Sequence, residues 1–262
     1  MAAPFRKVFM IKYLDINDSG YSVRSKLYCN DIHKISKIVV FFHGFGGHKD
    51  NHAAEHFSTF VLSKYKTTAV LAFDWPAHGD DARNKLHLSD CLLYVDFVLK
   101  YIHERFQVND IYAYGTSFGG YVILKYIADK GTNPFHRIAL RCPAIRSYDI
   151  IYHIMTEDDR EKLAKGKDVL IGFDRKVKVS QDYMDELLAA DITKVDYMDY
   201  ADDILILHGS KDEIVPPETV LEFADNNVIE CQLVEGADHR FRNPVQMDQA
   251  INTIARFLMT GE

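Results

Sequence analysis

One serine of the chain lies in a pattern that is typical of enzymes that transfer acyl groups. Ser117 has Gly115 two residues before it and Gly119 two residues after it, and it joins the apolar, β-prone run 111–114 to the helix-forming run 121–128. A strand that turns sharply into a helix at such a serine is a nucleophile elbow, in which a positive φ projects the hydroxyl from the turn. The glycines are needed because strand and helix approach closely there. Ser117 is therefore the candidate nucleophile.

This serine needs partners, because a G-x-S-x-G pattern arises by chance in roughly one chain in ten of this length. A serine hydroxyl is a weak nucleophile near neutral pH, so it requires a base, and the base requires a carboxylate that fixes its tautomer. His239 and Asp212 are the candidates for base and acid. Asp212 could instead form an Asx turn before Ile214, and the adjacent Glu213 is a competing carboxylate. The sequence predicts a triad of Ser117, Asp212 and His239.

A glycine-rich loop, 43–47, follows the continuous apolar run 37–42. Acyl transfer places negative charge on a carbonyl oxygen, and two preorganised backbone N–H groups are the usual means of stabilising it. We expect Phe118, the residue after the nucleophile, and Phe45 to supply this oxyanion hole. The alternative interpretation is that the loop glycines only permit a tight turn. Three further histidines are poorer candidates for the base: His43, which is expected to anchor the loop, His78 and His208.

Strands and helices alternate along the chain in an order that brings these residues to one edge of a sheet. Apolar, β-prone runs predict buried strands at 37–42, 68–73, from Asp110 onward, and at 137–142, 204–209 and 228–235. Helices are predicted at 51–65, at 89–106 with Ser89 as N-cap, at 121–128, up to Ala224 and at 244–259. A hairpin of 5–13 and 21–29 is expected at the sheet edge. The pattern predicts an α/β fold, a mostly parallel central sheet with helices on both faces and ligands beyond the carboxyl ends of the strands.

The alternation stops between residues 146 and 203, a segment rich in charge, tyrosine and methionine. It contains two helical stretches, 148–155 and 181–190, around a hairpin at 169–179. We interpret 146–203 as a small inserted cap, and 1–145 with 204–262 as the core domain. Its aromatic side chains provide surface for an apolar or aromatic acyl group, although more of them are expected to pack between cap and core. The candidates for substrate contact are Phe173 and Tyr183.

The composition limits the classes of protein to which the chain can belong. With 262 residues, of which 47% are hydrophobic, it can bury one large core. A net charge of −7 gives no basic surface for nucleic acid or an anionic membrane. The four cysteines form no C-x-x-C pair, and the N-terminus lacks an apolar signal region, so we expect reduced thiols and a cytoplasmic location. The sequence predicts a monomer or homodimer without a metal or cofactor, whose partner is a small-molecule ester.

Four segments together resemble the serine hydrolases of the α/β-hydrolase superfamily. They are H-G-F-G-G at 43–47, G-T-S-F-G-G at 115–120, H-G-S-K-D-E-I-V-P at 208–216 and G-A-D-H-R-F at 236–241. The order serine, acid, histidine is also that of the superfamily. Within it, the segments 172–173, 180–187, 191–192 and 235–239 resemble bacterial cinnamoyl ester hydrolases, the feruloyl esterases. The turn at 74–81 departs from the superfamily pattern D-x-x-G-x-G-x-S, because Ala77 replaces its first glycine and Asp81 its serine.

This resemblance implies hydrolysis of carboxylic esters through an acyl-enzyme, with hydroxycinnamoyl-type or short acyl groups. The same triad would also serve a serine aminopeptidase, an acyltransferase or a thioesterase, which differ in pocket and acceptor. An interpretation from another class is a non-catalytic ligand receptor or scaffold with this fold. The presence of serine, acid and histidine together argues against that interpretation, because a scaffold has no chemical need for them.

Overall fold

The computed structural model describes residues 9–81, 85–173 and 175–261. Within these ranges the main sheet has eight strands: β1 (Met10–Asp18), β2 (Tyr21–Cys29), β3 (Lys37–Phe42), β4 (Thr68–Phe73), β5 (Asp110–Thr116), β6 (Ile138–Arg141), β9 (Ile204–Gly209) and β10 (Glu230–Val234). A separate antiparallel pair, β7 (Val169–Ile171) and β8 (Val177–Val179), lies between β6 and β9 in sequence. The predicted strands are confirmed, with small shifts at their ends. Residues 5–8 of the first and Asp174 of the predicted hairpin lie outside the described residues.

The order of strands across the main sheet is β1-β2-β4-β3-β5-β6-β9-β10. β2 pairs antiparallel with both β1 and β4, and every pairing from β4 to β10 is parallel. The predicted edge hairpin and mostly parallel sheet are therefore confirmed. β3 and β5 are central neighbours, with Phe42 opposite Gly115 at their carboxyl ends. The loop 43–47 and Ser117 consequently leave the sheet side by side.

Helices cover both faces of the sheet, as predicted. Those in the described residues are α1 (His52–Lys64), α2 (Leu88–Phe106), α3 (Phe118–Lys130), α4 (Ser147–Ile154), α5 (Glu157–Ala164), α6 (Gln181–Ala189), α7 (Pro217–Asn227) and α8 (Pro244–Thr260), with short 3₁₀ helices at Gly79–Asp81, Ile192–Lys194 and Met198–Asp203. α1 and α8 share one buried cluster with Val39 of β3, whereas α2, α3 and α7 share the other with Val40. Over the described ranges, no helix combines the length and apolar character needed to cross a membrane.

The start of α2 differs from its prediction. The helix begins at Leu88, and its N-cap, His87, makes no side-chain capping bond, so the prediction of Ser89 as N-cap is wrong. The carboxylate of Glu186 on α6 accepts the hydrogen bond of the Leu88 N–H, and the Ser89 hydroxyl donates to it at 3.4 Å. A negative charge satisfies the free N–H groups of a helix start. The capping group comes from 98 residues away, where local sequence patterns give no signal.

The segment 146–203 connects β6 to β9 and contains α4, α5, β7, β8 and α6. The helices and the hairpin predicted in it are confirmed. Two buried tyrosine hydroxyls join it to α3: Tyr197 donates to Leu124 O at 3.1 Å, and Tyr121 donates to Ala190 O at 2.9 Å. The segment is thereby held against the helix that follows Ser117.

Candidate active site

Ser117 lies at the turn from β5 to α3 with the positive φ that the sequence predicts. Its φ is 50° and its ψ is −116°, a conformation that residues with a side chain seldom adopt. The turn is held from both sides, because the Ser117 N–H donates to Arg141 O at 3.0 Å and the Ser117 carbonyl accepts from Gly120, Tyr121 and Ala144. Such strain persists only where the surrounding structure fixes it. The predicted nucleophile elbow is therefore present in its geometry.

Both glycines of the motif approach neighbouring backbone closely, as predicted. A Cβ at Gly119 would lie 2.2 Å from Phe42 O, and a Cβ at Gly115 would lie 2.9 Å from Gly120 Cα. Distances below 3.0 Å require the backbone to move. The two glycines therefore fix how closely α3 packs on the central strands.

We expect Gly119→Ala to lower the free energy of unfolding by about 2 to 3 kcal/mol, since the added methyl collides with backbone that cannot move independently. Urea denaturation of both proteins measures this. Gly131→Ala is the control: its Cβ meets nothing within 4 Å, but its φ of 65° disfavours alanine, so a loss of about 1 kcal/mol is expected. Equal losses for the two variants would contradict the close-packing argument.

A chain of hydrogen bonds joins the three predicted triad residues. The Ser117 Oγ–H donates to His239 Nε2 at 3.1 Å, and His239 Nδ1 lies 2.8 Å from Asp212 Oδ2. Because a carboxylate can only accept, the proton of the neutral ring lies on Nδ1. This leaves Nε2 as the acceptor that a general base requires.

The carboxylate that contacts His239 Nδ1 is that of Asp212 and not that of the adjacent Glu213. The Asp212 side chain is fully buried, whereas that of Glu213 is 47% exposed, accepts the backbone N–H of His239 and lies 3.8 Å from Arg242 Nη1. Oδ1 of Asp212 also accepts from the N–H groups of Ile214 and Val215, so the Asx turn considered from the sequence coexists with the contact to His239. Burial acts to raise the pKa of Asp212, but its hydrogen bonds, that from His239 foremost, outweigh burial and lower the pKa. The carboxyl is therefore ionised at neutral pH.

His208 is a contact of Asp212 that the sequence interpretation missed. Its Nε2 lies 3.3 Å from Asp212 Oδ2 and 3.0 Å from Val215 O, both acceptors, so Nε2 carries the proton. Burial lowers the pKa of His208, which keeps the ring neutral. His208 thus orients the acid while His239 faces the serine. The sequence did contain one signal for this contact, the spacing of four residues between His208 and Asp212 across the end of β9.

Cys142 lies next to this pair and completes a group that resembles a metal site. One ligand atom from each of Cys142, His208 and Asp212 lies within 4.8 Å of the others. Burial, followed by the charge of Asp212, raises the pKa of the Cys142 thiol well above its usual range. The ligand atoms of the other two residues are already engaged, because His208 Nε2 donates its proton to Val215 O and the Asp212 carboxylate accepts from two histidines. These residues therefore do not fit a metal.

The two predicted oxyanion donors lie beside Ser117. A Cβ at Gly44 would lie 3.2 Å from Ser117 Cβ, and the rings of Phe45 and Phe118 meet edge to face with centroids 6.0 Å apart. Among the described residues, neither backbone N–H of these two phenylalanines donates to a protein acceptor. This is usual for Phe118, the first residue of α3, because the first N–H groups of a helix have no intrahelical partner.

His43 anchors the glycine loop, as predicted. Its Nδ1–H donates to Gly44 O at 2.8 Å, and its Nε2 accepts from the Trp75 N–H at 3.2 Å. The Trp75 indole in turn donates to His43 O at 2.8 Å. Burial, and then the charge of nearby His78, hold the pKa of His43 well below its usual range. The ring is therefore a neutral structural link.

A cluster of charges, in which Lys49 and Asp74 are buried and Asp80 is exposed, joins the turn after β4 to the segment that follows the glycine loop. Lys49 Nζ lies 2.6 Å from Asp80 and 3.2 Å from Asp74, whose carboxylate also accepts the Lys49 N–H at 2.6 Å. Burial acts to lower the pKa of Lys49, but the carboxylates outweigh it and raise the pKa. Gly79 leaves room for Asp74, since a Cβ there would lie 2.0 Å from Oδ2. Ala77, which departs from the superfamily pattern, adopts a φ of 59° normally favoured by glycine.

Ser117 and His239 line a cavity of 410 Å³ at the carboxyl end of the sheet. One wall is apolar and comes mainly from α4, with Ile150, Ile151 and Ile154. Their spacing on one helix face was a signal in the sequence, but the sequence interpretation favoured the aromatic residues of the segment instead.

The two predicted substrate contacts differ in position. Phe173 lines the cavity and is 51% exposed, as a substrate contact should be. Tyr183 does not line it, and its prediction is wrong: the side chain is fully buried in the core below α6. Together with Met184 and Leu187, Tyr183 forms the buried side of α6, the helix that begins after the N-cap Ser180. Among the described aromatic and methionine residues of the segment 146–203, only Phe173 lines the cavity.

Residues 39–254 match the sequence profile of the Alpha/beta hydrolase family. No curated protein matches this chain. Similarity to solved structures extends over nearly the whole length. Est1E from Butyrivibrio proteoclasticus is 21% identical, with a TM-score of 0.72 and coverage of 94% of this chain and 97% of that one, and it has also been solved with ferulic acid bound.

Two further structures from distant organisms share the architecture. The mouse alpha/beta hydrolase domain-containing protein 10 is 15% identical, with a TM-score of 0.71 and coverage of 96% of this chain and all of that one (100%). A Pyrococcus furiosus esterase is 16% identical, with a TM-score of 0.68 and coverage of 98% and 95%. At these identities the likeness establishes a common fold.

Proposed function

The chain belongs to the alpha/beta hydrolase family, and we propose that it is a serine carboxylesterase that acts through an acyl-enzyme. The observation that carries the proposal is the hydrogen-bonded series Ser117, His239 and Asp212 at the wall of a cavity. In this series the base already points toward the nucleophile, and the carboxylate holds the base in place. The free N–H groups of Phe45 and Phe118 supply the matching oxyanion hole.

In the proposed mechanism, Ser117 Oγ attacks the ester carbonyl while His239 Nε2 takes the hydroxyl proton. The carbonyl oxygen becomes negative and accepts hydrogen bonds from Phe45 and Phe118. Asp212 stabilises the imidazolium that forms. When the tetrahedral intermediate collapses, His239 gives the proton to the leaving alcohol. Water, activated by His239, then attacks the acyl-enzyme and releases the acid.

The acyl group that the cavity suits best is an aromatic one of hydroxycinnamoyl type, with short acyl groups as the next candidates. The isoleucines of α4 and the exposed ring of Phe173 provide the apolar wall that such a group needs. Est1E, which shares the fold, binds ferulic acid. We assign this selection to residues 146–203, acting as a cap, because α4 and Phe173 both belong to them.

A comparison of methyl esters tests the acyl preference. We expect kcat/KM for methyl ferulate to exceed that for methyl butyrate by about 10-fold or more, because a buried aromatic ring adds apolar contact in the transition state. Phe173→Ala should reduce the advantage. The matched control is Leu170→Ala in the same hairpin, since Leu170 is 60% exposed and does not line the cavity. Turnover of butyrate esters without turnover of methyl ferulate would eliminate the hydroxycinnamoyl preference.

A further inference from the structure

The cavity beside Ser117 has a charge opposite to that of the whole protein. Its lining in the described chain includes the arginines Arg141, Arg175 and Arg240 and contains no aspartate or glutamate. The sequence as a whole carries 38 acidic and 31 basic residues. A concave, low-dielectric surface lined by one sign of charge concentrates ligands of the opposite sign. The cavity therefore favours an anionic ligand.

Arg141 is the arginine for which an anion is chemically needed. It is only 6% exposed, and its guanidinium stacks 5.3 Å from the Phe241 ring centre with Nη1 at 3.0 Å from Met247 Sδ. Nε is buried without a partner, and no acceptor for Nη2 is found among the described residues. A buried cation without an anionic partner is costly. Nε has almost no accessible surface, so Nη2 is the donor that a carboxylate in the cavity can reach, through a charge-assisted hydrogen bond.

A second feature of the same cavity also favours negative charge. Asn51, His52 and Ala53, at the start of α1, line it together with Arg141. The first N–H groups of a helix are unpaired and carry partial positive charge. The Asn51 side chain satisfies only that of Ala54. The helix start and the Arg141 guanidinium thus both contribute positive charge to the lining of this cavity.

The apolar wall of the cavity indicates the chemistry of the rest of the ligand. Ile150, Ile151, Ile154 and Phe173 line the same cavity and offer an apolar surface. Ser117 and His239 lie on the same cavity, so one molecule can place an ester at the nucleophile, an apolar chain or ring on α4 and an anionic group at Arg141.

We propose that the cavity selects esters that bear a carboxylate group, with Arg141 as the partner of that carboxylate. This inference rests on the proposed esterase activity. The carboxylate belongs either to the acyl part, as in the monoester of a dicarboxylic acid, or to the alcohol part, as in the ester of a hydroxy acid. A hydroxycinnamoyl ester of a hydroxy acid satisfies both the apolar wall and the arginine.

Two matched pairs of esters test this proposal and separate the two positions of the carboxylate. For the acyl part, para-nitrophenyl hydrogen adipate is compared with para-nitrophenyl hexanoate; for the alcohol part, meta-carboxyphenyl butyrate is compared with phenyl butyrate. We expect kcat/KM to favour the anionic ester of at least one pair by about 10- to 100-fold, the strength of a charge-assisted hydrogen-bonded contact. A wild-type ratio of one or less in both pairs would overturn the proposal without any variant.

Arg141→Met and Arg141→Lys then assign the preference to its residue. The ratio of anionic to neutral turnover should fall to about one or below in Arg141→Met and partly in Arg141→Lys, which keeps the charge but loses the planar guanidinium. Arg137→Met is the matched control, because Arg137 also stacks on a phenylalanine, 5.9 Å from the Phe257 ring centre, but precedes β6 at the other end of the strand. A preference that survives Arg141→Met refutes the assignment.

Binding to Ser117→Ala separates this inference from the proposed function. Two pairs of ligands are compared by calorimetry: monomethyl adipate with methyl hexanoate for the acyl part, and meta-carboxyphenyl butyrate with phenyl butyrate for the alcohol part. In at least one pair the anionic ligand should bind about 10-fold or more tightly, and the difference should vanish in Ser117→Ala/Arg141→Met. Arginine-dependent binding without any wild-type ester turnover would refute the esterase and support the carboxylate site. Ester turnover with equal binding of the anionic and neutral ligand in both pairs would support the esterase and refute the carboxylate site.

Discussion

Replacing Ser117 with alanine is expected to reduce kcat for ester hydrolysis by about 10⁶-fold, the scale seen when the nucleophile of a triad is removed. The reason is that His239 Nε2 then has no hydroxyl to activate, and no acyl-enzyme can form. The fold should persist, because the backbone bonds that hold the turn do not involve the hydroxyl. Steady-state turnover of para-nitrophenyl butyrate, with circular dichroism as the check on folding, measures the effect.

A fluorophosphonate probe provides the chemical control for this variant. The probe reacts covalently with an activated serine, so it should label the folded wild-type protein at Ser117 and leave Ser117→Ala unlabelled. Ser63→Ala, on an exposed part of α1, should keep both labelling and turnover. Labelling that stays unchanged in Ser117→Ala, or turnover near the wild-type rate, would refute the assignment. A folded wild-type protein that is neither labelled nor active would favour the non-catalytic scaffold.

The candidate triad could be predicted because its physical requirements are local. A strained turn into a helix needs glycines at fixed spacing around Ser117, and Gly119 indeed has no room for a Cβ. Apolar runs identify the buried strands, and parallel strands deliver their carboxyl ends to one edge. Asp212 and His239 follow two such strands in an order that the fold requires. Local pattern and topology therefore agree at these positions.

The contacts that the sequence did not predict depend on distant parts of the chain. Glu186 replaces Ser89 as the capping group of α2, and His208 turns toward Asp212 only once the loop after β9 is closed. Tyr183 and Phe173 have the same aromatic character, yet one is in the core and the other in the cavity. Side-chain type does not indicate which face of a short inserted element is buried, because that depends on what packs against it.

Arg141 illustrates the same limit at the site itself. It is the last residue of the short strand β6, in which all four residues are buried. Within the described chain its guanidinium contacts Met247 and Phe241, and its Nε has no hydrogen-bond partner. Both contacts come from the region after β10, and Met247 is separated from Arg141 by 106 residues. An unsatisfied buried charge is visible only after all neighbours are known.

Replacing Asp212 with asparagine is expected to lower kcat by about 10⁴-fold without removing the nucleophile. The introduced amide would present a donor where His239 Nδ1–H now finds an acceptor, so the ring would favour the wrong tautomer and Nε2 would lose its role as base. Since its hydrogen bonds lower the pKa of Asp212 despite burial, the carboxylate is charged throughout the neutral range. The loss should therefore be present at every neutral pH, and pH–rate profiles of wild type and variant measure it.

Glu213→Gln is the matched control for this prediction, because it removes a neighbouring carboxylate that is exposed and contacts only the backbone N–H of His239 and, at 3.8 Å, the exposed guanidinium of Arg242 in the described chain. We expect its kcat to change by about threefold or less, in keeping with a solvent-exposed contact. Stability gives a second readout: a group with a lowered folded-state pKa stabilises the fold above its ordinary value of 3.8 and loses that contribution as the pH falls through the folded-state pKa. The difference in unfolding free energy between wild type and Asp212→Asn should therefore narrow as the pH falls below 3.8. A large loss in Glu213→Gln with a small one in Asp212→Asn would transfer the acid's role to Glu213.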